Sequence, residues 1–286
     1  MKQVFSFLFL SLFFIACQKE TTTAEQSLAE QTITDASYGT DPAHRMDIYL
    51  PAGRTATETN AVIVIHGCAW ISGDKTEMTP YIPIIKQKMP GYAIFNINYR
   101  LVSLPSTNPF PTQEADVKTA VDFIINKASE YQFNTGKVVL LGASAGGHLA
   151  LLQAYKQSSP KVQAVISMFG PTDMVALYNF YPANSINRTA VQLMLGGTPA
   201  SNAALYQSSS PVNYVMAQSP PTLLLHGTAD PIVPIDQSTA LKTKLETAGV
   251  SVKMVTYQNG GHGDWDDATF AKAYDEIAAF VASRNP

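Results

Sequence analysis

Short apolar runs recur along the chain and alternate with longer stretches in which apolar residues return every three or four positions. The short runs predict strands that are covered on both faces, and the longer pattern predicts amphipathic helices. The predicted strands span 61–65, 93–97, 138–141, 162–168, 222–225 and 252–257, preceded by an alternating segment at 46–50 that is typical of an antiparallel strand. The predicted helices span 112–131, 146–157, 234–248 and 267–283. This alternation indicates an α/β fold with a mostly parallel sheet between two layers of helices.

Residues 171–220 interrupt the alternation and predict an insertion near the ligand-binding edge of the sheet. In open α/β sheets, ligands bind beyond the carboxyl ends of the strands. Each motif described below follows a predicted strand directly. The sequence therefore places its candidate chemistry at one edge of the sheet.

The first 31 residues have a different pattern. Lys2 is followed by the mostly apolar stretch 4–16, which is typical of a secretory signal peptide and too short to span a bilayer. It ends in Phe14-Ile15-Ala16-Cys17, which resembles the lipobox of bacterial lipoproteins; cleavage with an incidental Cys17 is the alternative. We expect a signal peptide at 1–16, lipidation of Cys17, a flexible linker at 17–31 and one folded domain at 32–286. The expected location is the outer membrane or cell surface of a bacterium, after export across the inner membrane.

Composition limits the remaining possibilities. Of 286 residues, 46% are hydrophobic and 14% are charged, so the chain can bury a large core and most of it is not disordered. The net charge of −3 supplies no basic surface for a nucleic acid. Two cysteines cannot form a disulfide framework, and the sequence has neither metal-ligand spacing nor a phosphate-binding loop. We therefore expect no cofactor, no metal and no nucleic-acid partner.

The strongest chemical signal is the run Gly142-Ala143-Ser144-Ala145-Gly146, between a predicted strand and a predicted helix. This G-x-S-x-G pattern resembles the nucleophile elbow of α/β-hydrolases. Small residues on both sides of Ser144 let the strand and the helix approach closely, and the helix N-terminus adds positive partial charge beside it. We predict that Ser144 is a nucleophile; a passive serine in a tight turn is the alternative.

A serine nucleophile needs a base, and the base needs an acid that holds its tautomer. Among five histidines, His262 lies between the last predicted strand and the last helix, where the hydrolase order Ser, acid, His places the base. Asp230 follows the preceding strand and is the predicted acid, with Asp236 as the reserve. A surface position for His262 and an N-capping role for Asp230 are the alternatives.

The segment after strand 61–65 extends the resemblance. It reads His66-Gly67-Cys68-Ala69-Trp70 and continues to Gly73-Asp74-Lys75. This resembles the H-G-G-G-W and G-D-K loop of α/β-hydrolase esterases related to hormone-sensitive lipase, most closely the Bacteroidetes-type feruloyl and acetyl esterases. The run Gly170-Pro171-Thr172-Asp173 and the H-G-x-x-D-x-x-V-P stretch at 226–234 also match, so the resemblance covers about residues 31–286. It implies the α/β-hydrolase fold, with a sheet of the eight-stranded type, and ester hydrolysis.

By position, the backbone N–H groups of Cys68, Ala69 and Ala145 are expected to form the oxyanion hole. Related esterases often have glycine at the first two of these positions, so a loop that needs glycine-only dihedral angles would change the donors. The Cys68 side chain itself is expected to be a small buried hydrophobic group.

Five aromatic residues are expected to lie on segments that face the active edge, where they could form an acyl pocket or stack on sugar rings. They are Trp70, Tyr178, Phe180, Tyr181 and Trp265. For each of them, packing in the core is the alternative.

These residues predict acyl transfer, in which Ser144 attacks an ester carbonyl, His262 carries the proton and Asp230 orients His262. The resemblance implies acetyl or feruloyl esters of plant polysaccharides or their oligosaccharides as substrates, with membrane contact through the lipid anchor alone. A small arylformamidase-like amidase or peptidase on the same fold is one alternative, and a non-catalytic glycan-binding lipoprotein is another. The oligomeric state stays open.

Overall fold

The computed structural model describes residues 27–105, 107–157, 160 and 162–284 of the protein. One sheet contains eight strands. They are β1 (Gln31–Ser37), β2 (Arg45–Leu50), β3 (Asn60–Ile65), β4 (Tyr92–Ile97), β5 (Val138–Ala143), β6 (Val162–Met168), β7 (Thr222–Gly227) and β8 (Val252–Tyr257). Their order across the sheet is β1-β2-β4-β3-β5-β6-β7-β8.

The strand directions match the predicted architecture. β2 is antiparallel to both of its neighbours, β1 and β4. The pairs from β4 through β3, β5, β6 and β7 to β8 are all parallel. The prediction of an α/β fold with a mostly parallel, eight-stranded sheet is confirmed. All carboxyl ends of the parallel strands therefore meet at one edge of the sheet, called here the carboxyl edge, and their starts form the amino edge.

Nine α-helices lie in the described part of the chain. They are α1 (Ile82–Lys88), α2 (Thr112–Asn126), α3 (Ala128–Tyr131), α4 (Ala145–Lys156), α5 (Met174–Phe180), α6 (Ile186–Met194), α7 (Ala203–Ser208), α8 (Asp236–Thr247) and α9 (Asp267–Ala282). The predicted helix 112–131 is divided at Lys127 into α2 and α3, and the other predicted helices agree within two residues.

The two faces of the sheet carry separate cores because successive side chains of a strand point to opposite faces. Ile63 belongs to the same buried cluster as residues of α2, α4 and α8, whereas the next residue, Val64, belongs to a second cluster with residues of α1 and α9. Both side chains are fully buried. Helices therefore cover both faces of the sheet, as the wholly apolar strand segments require.

Several elements have no counterpart among the predicted ones. β1 is mostly exposed along its length, so its sequence lacks the apolar run that identifies a covered strand. α1 is only seven residues long and contains Pro83, so it is too short for a periodic pattern. Residues 171–220 follow β6 and hold the short helices α5, α6 and α7.

The predicted signal peptide, Cys17 and the linker up to residue 26 lie outside the described residues. The last part of the predicted linker packs on the domain, because the Leu28 carbonyl accepts a hydrogen bond from the Gly53 amide at 2.8 Å. The Ala29 carbonyl accepts one from the Arg54 guanidinium. Of the helices that the structure describes, none combines the length and the apolar character that crossing a bilayer requires.

Both ends of the described chain lie at the amino edge. Gln31 pairs with Leu50, whose neighbour Tyr49 pairs with Ile94 near the start of β4. After α9, the Arg284 carbonyl accepts a hydrogen bond from the Gln163 side chain at the start of β6. The chain therefore enters and leaves the domain on the side opposite the carboxyl edge.

Candidate active site

Ser144 lies at the carboxyl edge, in the turn that joins β5 to α4. Its backbone angles, φ 52° and ψ −120°, belong to a region that L-residues rarely occupy. The start of α4 lies close to the ends of both β3 and β5, since a Cβ on Gly146 would collide with the Ile65 carbonyl oxygen at the end of β3. A Cβ on Gly142 would lie 2.1 Å from the Gly146 carbonyl oxygen. The glycines at these two positions permit the sharp turn that presents the Ser144 hydroxyl beyond the sheet.

The structure brings together the three residues that the sequence predicts as nucleophile, base and acid. The Ser144 hydroxyl lies 2.8 Å from Nε2 of His262. Nδ1 of the same imidazole lies 2.7 Å from Oδ2 of Asp230. Because a carboxylate can only accept, Nδ1 carries the proton and Nε2 is free to accept the hydroxyl proton. This arrangement can deprotonate Ser144 as it attacks a carbonyl carbon.

Asp230 is held by its own loop as well as by His262. Its Oδ1 accepts hydrogen bonds from the amides of Ile232 at 2.8 Å and Val233 at 2.9 Å. Burial alone would raise the pKa of Asp230, but hydrogen bonds from His226 and His262 hold this pKa well below its usual range. The carboxylate therefore stays ionised, which stabilises an imidazolium at position 262. The reserve candidate, Asp236, is exposed as the first residue of α8.

His226 is a supporting residue that the sequence analysis did not assign. Its Nε2 lies 3.4 Å from Oδ2 of Asp230 and 2.8 Å from the Val233 carbonyl oxygen, and its Nδ1 lies 2.7 Å from the Ser238 hydroxyl. The side chain is fully buried. The spacing of four residues between His226 and Asp230 in the H-G-x-x-D stretch is the signal that could have identified it.

The loop 67–70 supplies two of the three predicted oxyanion-hole residues, Cys68 and Ala69. Cys68, Ala69 and Trp70 have φ values of 68°, 53° and 63°, so three successive L-residues adopt the left-handed conformation. The loop therefore forms without glycine at 68 and 69. Among the described residues, the N–H groups of Cys68, Ala69 and Ala145 have no hydrogen-bond acceptor. Cys68 and Ala69 line the same cavity as Ser144, and Ala145 begins α4 directly after it.

The Cys68 side chain is exposed, so the prediction of a buried hydrophobic group is wrong. Its thiol lies 3.2 Å from each carboxylate oxygen of Glu77. Partial desolvation and the Glu77 carboxylate raise the pKa of Cys68 to about 11. The group is therefore a neutral thiol at physiological pH and a poor nucleophile.

A cavity of about 360 Å³ opens at Ser144 and His262. Its walls are mostly apolar, and its aromatic residues come from three segments that are distant in sequence. Besides Ser144, His262 and residues 67–69, the lining residues are Glu77, Met78, Tyr81, Ala143, Met168, Phe169, Ile232, Gly263, Phe270 and Tyr274. Glu77 is the one carboxylate among them. The cavity can accept an apolar or aromatic group beside the serine.

None of the aromatic residues that were expected to form the pocket lines this cavity. Trp70 is buried beneath the loop 67–70, where its indole N–H donates to His148. Trp265 packs behind the cavity against Phe169, and its indole N–H donates to the Gly261 carbonyl. Their positions beside catalytic motifs in the sequence did not predict where their side chains lie.

The remaining three expected pocket residues belong to α5 and the residue after it. Tyr178 is buried, its hydroxyl accepts from the Gln192 amide, and its ring packs under Arg188. Phe180 is 46% exposed, and the Tyr181 hydroxyl donates to the Ile232 carbonyl. None of these three side chains lines the cavity at Ser144.

Sequence reasoning missed the aromatic wall of the cavity. Tyr81 lies in a short 3₁₀ helix before α1, and its ring centroid is 5.0 Å from that of Phe270 and 5.9 Å from that of Tyr274. The spacing of four residues between Phe270 and Tyr274 in a predicted helix was the available signal for one half of this wall. The contribution of Tyr81 had no local signal.

Within the described ranges, no group of three or more His, Cys, Asp or Glu side chains could hold a metal ion.

Comparison with known proteins places the chain among esterases. The BD-FAE family model matches residues 46–245. The chain is 24% identical to esterase LipC of Mycobacterium tuberculosis over 79% of its own length, and it covers 58% of LipC. The chain spans 50–60% of the length of three curated relatives that it matches.

Two solved structures resemble the whole domain. A truncated carbohydrate esterase from gut microbiota superposes with a TM-score of 0.76 at 25% identity, over 91% of this chain and 99% of that one. A bifunctional GH43-CE protein of Bacteroides eggerthii superposes with a TM-score of 0.77 at 27% identity, over 89% of this chain and 38% of that one. These similarities agree with the α/β-hydrolase fold described above.

Proposed function

We propose that this chain, which belongs to the BD-FAE family, is a serine carboxylic-ester hydrolase that uses Ser144, His262 and Asp230. The observation that carries the proposal is the unbroken series of hydrogen bonds from the Ser144 hydroxyl through His262 to Asp230, at the edge of an apolar cavity. Three backbone N–H groups without acceptors lie on the two segments that flank the serine. Nucleophile, base, acid and oxyanion donors are thus all available for acyl transfer.

The first half of the reaction forms an acyl-enzyme. The Ser144 oxygen attacks the ester carbonyl carbon while Nε2 of His262 takes the hydroxyl proton, and the carbonyl electron pair moves onto the oxygen. The N–H groups of Cys68, Ala69 and Ala145 stabilise that negative oxygen. When the tetrahedral intermediate collapses, the bond to the alcohol breaks and His262 donates its proton to the leaving oxygen.

The second half repeats these steps with water. His262 removes a proton from a water molecule as the water oxygen attacks the acyl carbon. The intermediate then expels the Ser144 oxygen, which recovers its proton from His262, and the carboxylic acid leaves. Asp230 stays ionised throughout and holds Nδ1–H of the imidazole, so that Nε2 faces the reacting atoms in both halves.

The substrates that we propose are acetyl or feruloyl esters of plant polysaccharides or their oligosaccharides. The support for a carbohydrate ester is the similarity to a carbohydrate esterase from gut microbiota and to a bifunctional GH43-CE protein of Bacteroides eggerthii. The cavity favours a feruloyl group over an acetyl group, because an acetyl group would fill only a small part of about 360 Å³. Tyr81, Phe270 and Tyr274 offer aromatic faces to a planar acyl group.

The direct test compares wild type with Ser144→Ala on p-nitrophenyl acetate, methyl ferulate and formanilide, an amide. Wild type should hydrolyse both esters, and Ser144→Ala should lose about 10³-fold or more of that activity while keeping its fold. Ser251→Ala, a change of an exposed serine just before β8, is the matched control and should behave as wild type. Equal ester turnover by Ser144→Ala and wild type would end the proposal. Faster turnover of formanilide than of either ester would instead favour the amidase.

We also propose that Cys17 carries a lipid anchor that holds the protein at a bacterial outer membrane or cell surface. The support is the sequence alone, a short apolar run that ends in Phe14-Ile15-Ala16-Cys17. In an expressing bacterium, the full chain should fractionate with membranes, and Cys17→Ser should release it into a soluble fraction. Cys68→Ser is the matched control and should stay with membranes. Membrane fractionation of Cys17→Ser equal to that of wild type would contradict lipidation.

A further inference from the structure

The loop 67–70 needs an external restraint to keep its shape. Cys68, Ala69 and Trp70 all have positive φ, a conformation that is unfavourable for each L-residue and is retained only where the surroundings enforce it. Oxyanion donors act only when they point at the position of the developing negative charge. The donors lie on two separate segments, the loop 67–70 and the start of α4. Contacts outside the loop must therefore fix its position relative to α4.

Trp70 and His148 make a buried contact between these two segments. The indole Nε1 of Trp70 lies 3.2 Å from Nδ1 of His148, and the two rings are perpendicular, with centroids 5.2 Å apart. Trp70 is 3% exposed and His148 is 0% exposed. His148 lies on α4 one turn after Ser144, and its amide donates to the Ser144 carbonyl.

The hydrogen-bond partners determine the tautomer of His148. An indole N–H can only donate, so Nδ1 of His148 must be the acceptor. Its Nε2 lies 2.7 Å from the Ser209 carbonyl oxygen, which can only accept, so Nε2 carries the proton. Full burial lowers the pKa of His148 to about 4, which keeps the imidazole neutral at physiological pH. Both ring nitrogens are thus satisfied, and the side chain cannot rotate without losing a bond.

We infer that Trp70 and His148 are positioning residues that hold the loop 67–70 against α4, so that the N–H groups of Cys68 and Ala69 and that of Ala145 converge on one oxyanion. This inference rests on the proposed ester hydrolysis. The loop has further restraints, since the Tyr99 hydroxyl contacts the Gly67 carbonyl and the Trp70 carbonyl accepts from the Val102 amide. Those contacts tie the loop to the segment after β4. The Trp70–His148 bond ties it to the helix that carries the nucleophile.

The test removes the bond while keeping the packing. Trp70→Phe retains a buried aromatic ring but has no N–H to donate. It should lower kcat on p-nitrophenyl acetate by about 10- to 100-fold with KM within about twofold of wild type, because the donors act mainly on the transition state. A boronic acid, which forms a tetrahedral adduct with the serine, should bind more weakly by a similar factor. Binding of ferulate, a ground-state product, should change little.

A conservative variant separates hydrogen bonding from bulk. His148→Gln can accept from the indole and donate to the Ser209 carbonyl, so it should keep kcat within about threefold of wild type. His148→Leu can do neither and should match Trp70→Phe. Since the two changes break the same bond, the double variant Trp70→Phe with His148→Leu should be no slower than the slower single variant. Circular dichroism and thermal melting establish that each variant is folded at the assay temperature.

The matched control is Tyr155→Phe. Tyr155 also lies on α4, is buried, and makes a hydrogen bond of 2.8 Å to the Thr222 hydroxyl, but at the amino edge. Loss of this hydrogen bond in Tyr155→Phe should lower the thermal stability of the protein and leave kcat unchanged. The inference is overturned if wild type hydrolyses esters and folded Trp70→Phe keeps its kcat, or if His148→Leu is as active as His148→Gln. Absence of ester turnover in wild type would instead overturn the proposed function.

Discussion

The two sides of the cavity are built in different ways. The nucleophile side consists of Ser144, Asp230 and His262, and each residue lies in the turn or loop that follows a strand of the central sheet. The aromatic side consists of Met78, Tyr81, Phe270 and Tyr274, from the segment before α1 and from α9, which pack together away from the strand ends.

This difference in construction indicates which side of the cavity can accept substitutions. Parallel strands set the positions of the loops that follow them, so the chemistry of the nucleophile side depends on the sheet itself. The aromatic side depends on how two chain segments pack against each other. Substitutions there can change the size of the cavity without moving Ser144. We therefore expect the nucleophile side to determine the rate and the aromatic side to determine the choice of ester.

The largest expected effect is on the nucleophile side. Asp230→Asn removes the negative charge that holds Nδ1–H of His262, and it should lower kcat by about 10⁴-fold without unfolding the protein. The matched control is Asp236→Asn, at an exposed position at the start of α8, which should leave kcat unchanged. Steady-state kinetics on p-nitrophenyl acetate measures both. If the two variants were equally active, Asp230 would not be the orienting acid.

The buried support of the nucleophile side should make the fold sensitive to acid. Burial lowers the pKa of both His66 and His148 from 6.5 to about 4. Between pH 6.5 and pH 4, the imidazoles of His66 and His148 are protonated in the unfolded chain but stay neutral in the folded chain. The free energy of unfolding should therefore fall as the pH falls from 6.5 to 4. Over the whole pH window, each histidine lowers the free energy of unfolding by about 3 kcal/mol.

Urea unfolding at several pH values measures this loss. His148→Gln removes one of the two titrating groups and should reduce the fall in the unfolding free energy by about half between pH 6.5 and 4. Wild-type stability that stays constant across this window would show that the two imidazoles are not kept neutral by burial.

A smaller effect is expected on the aromatic side. Phe270→Ala enlarges the far part of the cavity, and it should raise kcat/KM for p-nitrophenyl octanoate relative to the acetate by about 10-fold. Phe180→Ala is the matched control, because Phe180 is exposed and lies outside the cavity. A change in the ratio for Phe180→Ala but not for Phe270→Ala would reassign the acyl pocket to the insertion.

The smallest expected effect concerns the negative charge of Glu77. Glu77 places a carboxylate in the cavity wall, with the Cys68 thiol as its hydrogen-bond donor. It should repel an anionic acyl group, so Glu77→Gln should improve kcat/KM for the p-nitrophenyl monoester of succinate about 5-fold relative to the neutral butyrate ester. Glu58→Gln, an exposed change just before β3, should not. High salt should weaken the difference between Glu77→Gln and wild type.

The sequence predicted the nucleophile side because its signals are local. The small residues around Ser144, the loop that holds His262 and the position of Asp230 after β7 can each be recognised from a few neighbouring residues. The parallel sheet then brings these three loops to one edge. The supporting role of His226 could not be predicted, because its contact with Asp230 depends on a side-chain direction that the sequence spacing alone does not establish.

The aromatic side could not be predicted in the same way. The contact of Tyr81 with Phe270 joins residues that are far apart in sequence, and Tyr81 lies in a 3₁₀ helix without periodicity. The sequence places Trp70 and Trp265 in the pocket because their segments are predicted to face the active edge. In the structure their indole N–H groups donate to His148 and Gly261 instead, which turns both rings towards the interior.

Both ends of the described chain emerge on the side away from the cavity, near Gln31 and Arg284. A fusion partner, an affinity tag or a surface tether joined to the domain next to Gln31 or Arg284 would therefore lie behind the carboxyl edge. Beads that carry the domain through such a joint should present its cavity outwards, where even an insoluble fibre could reach it.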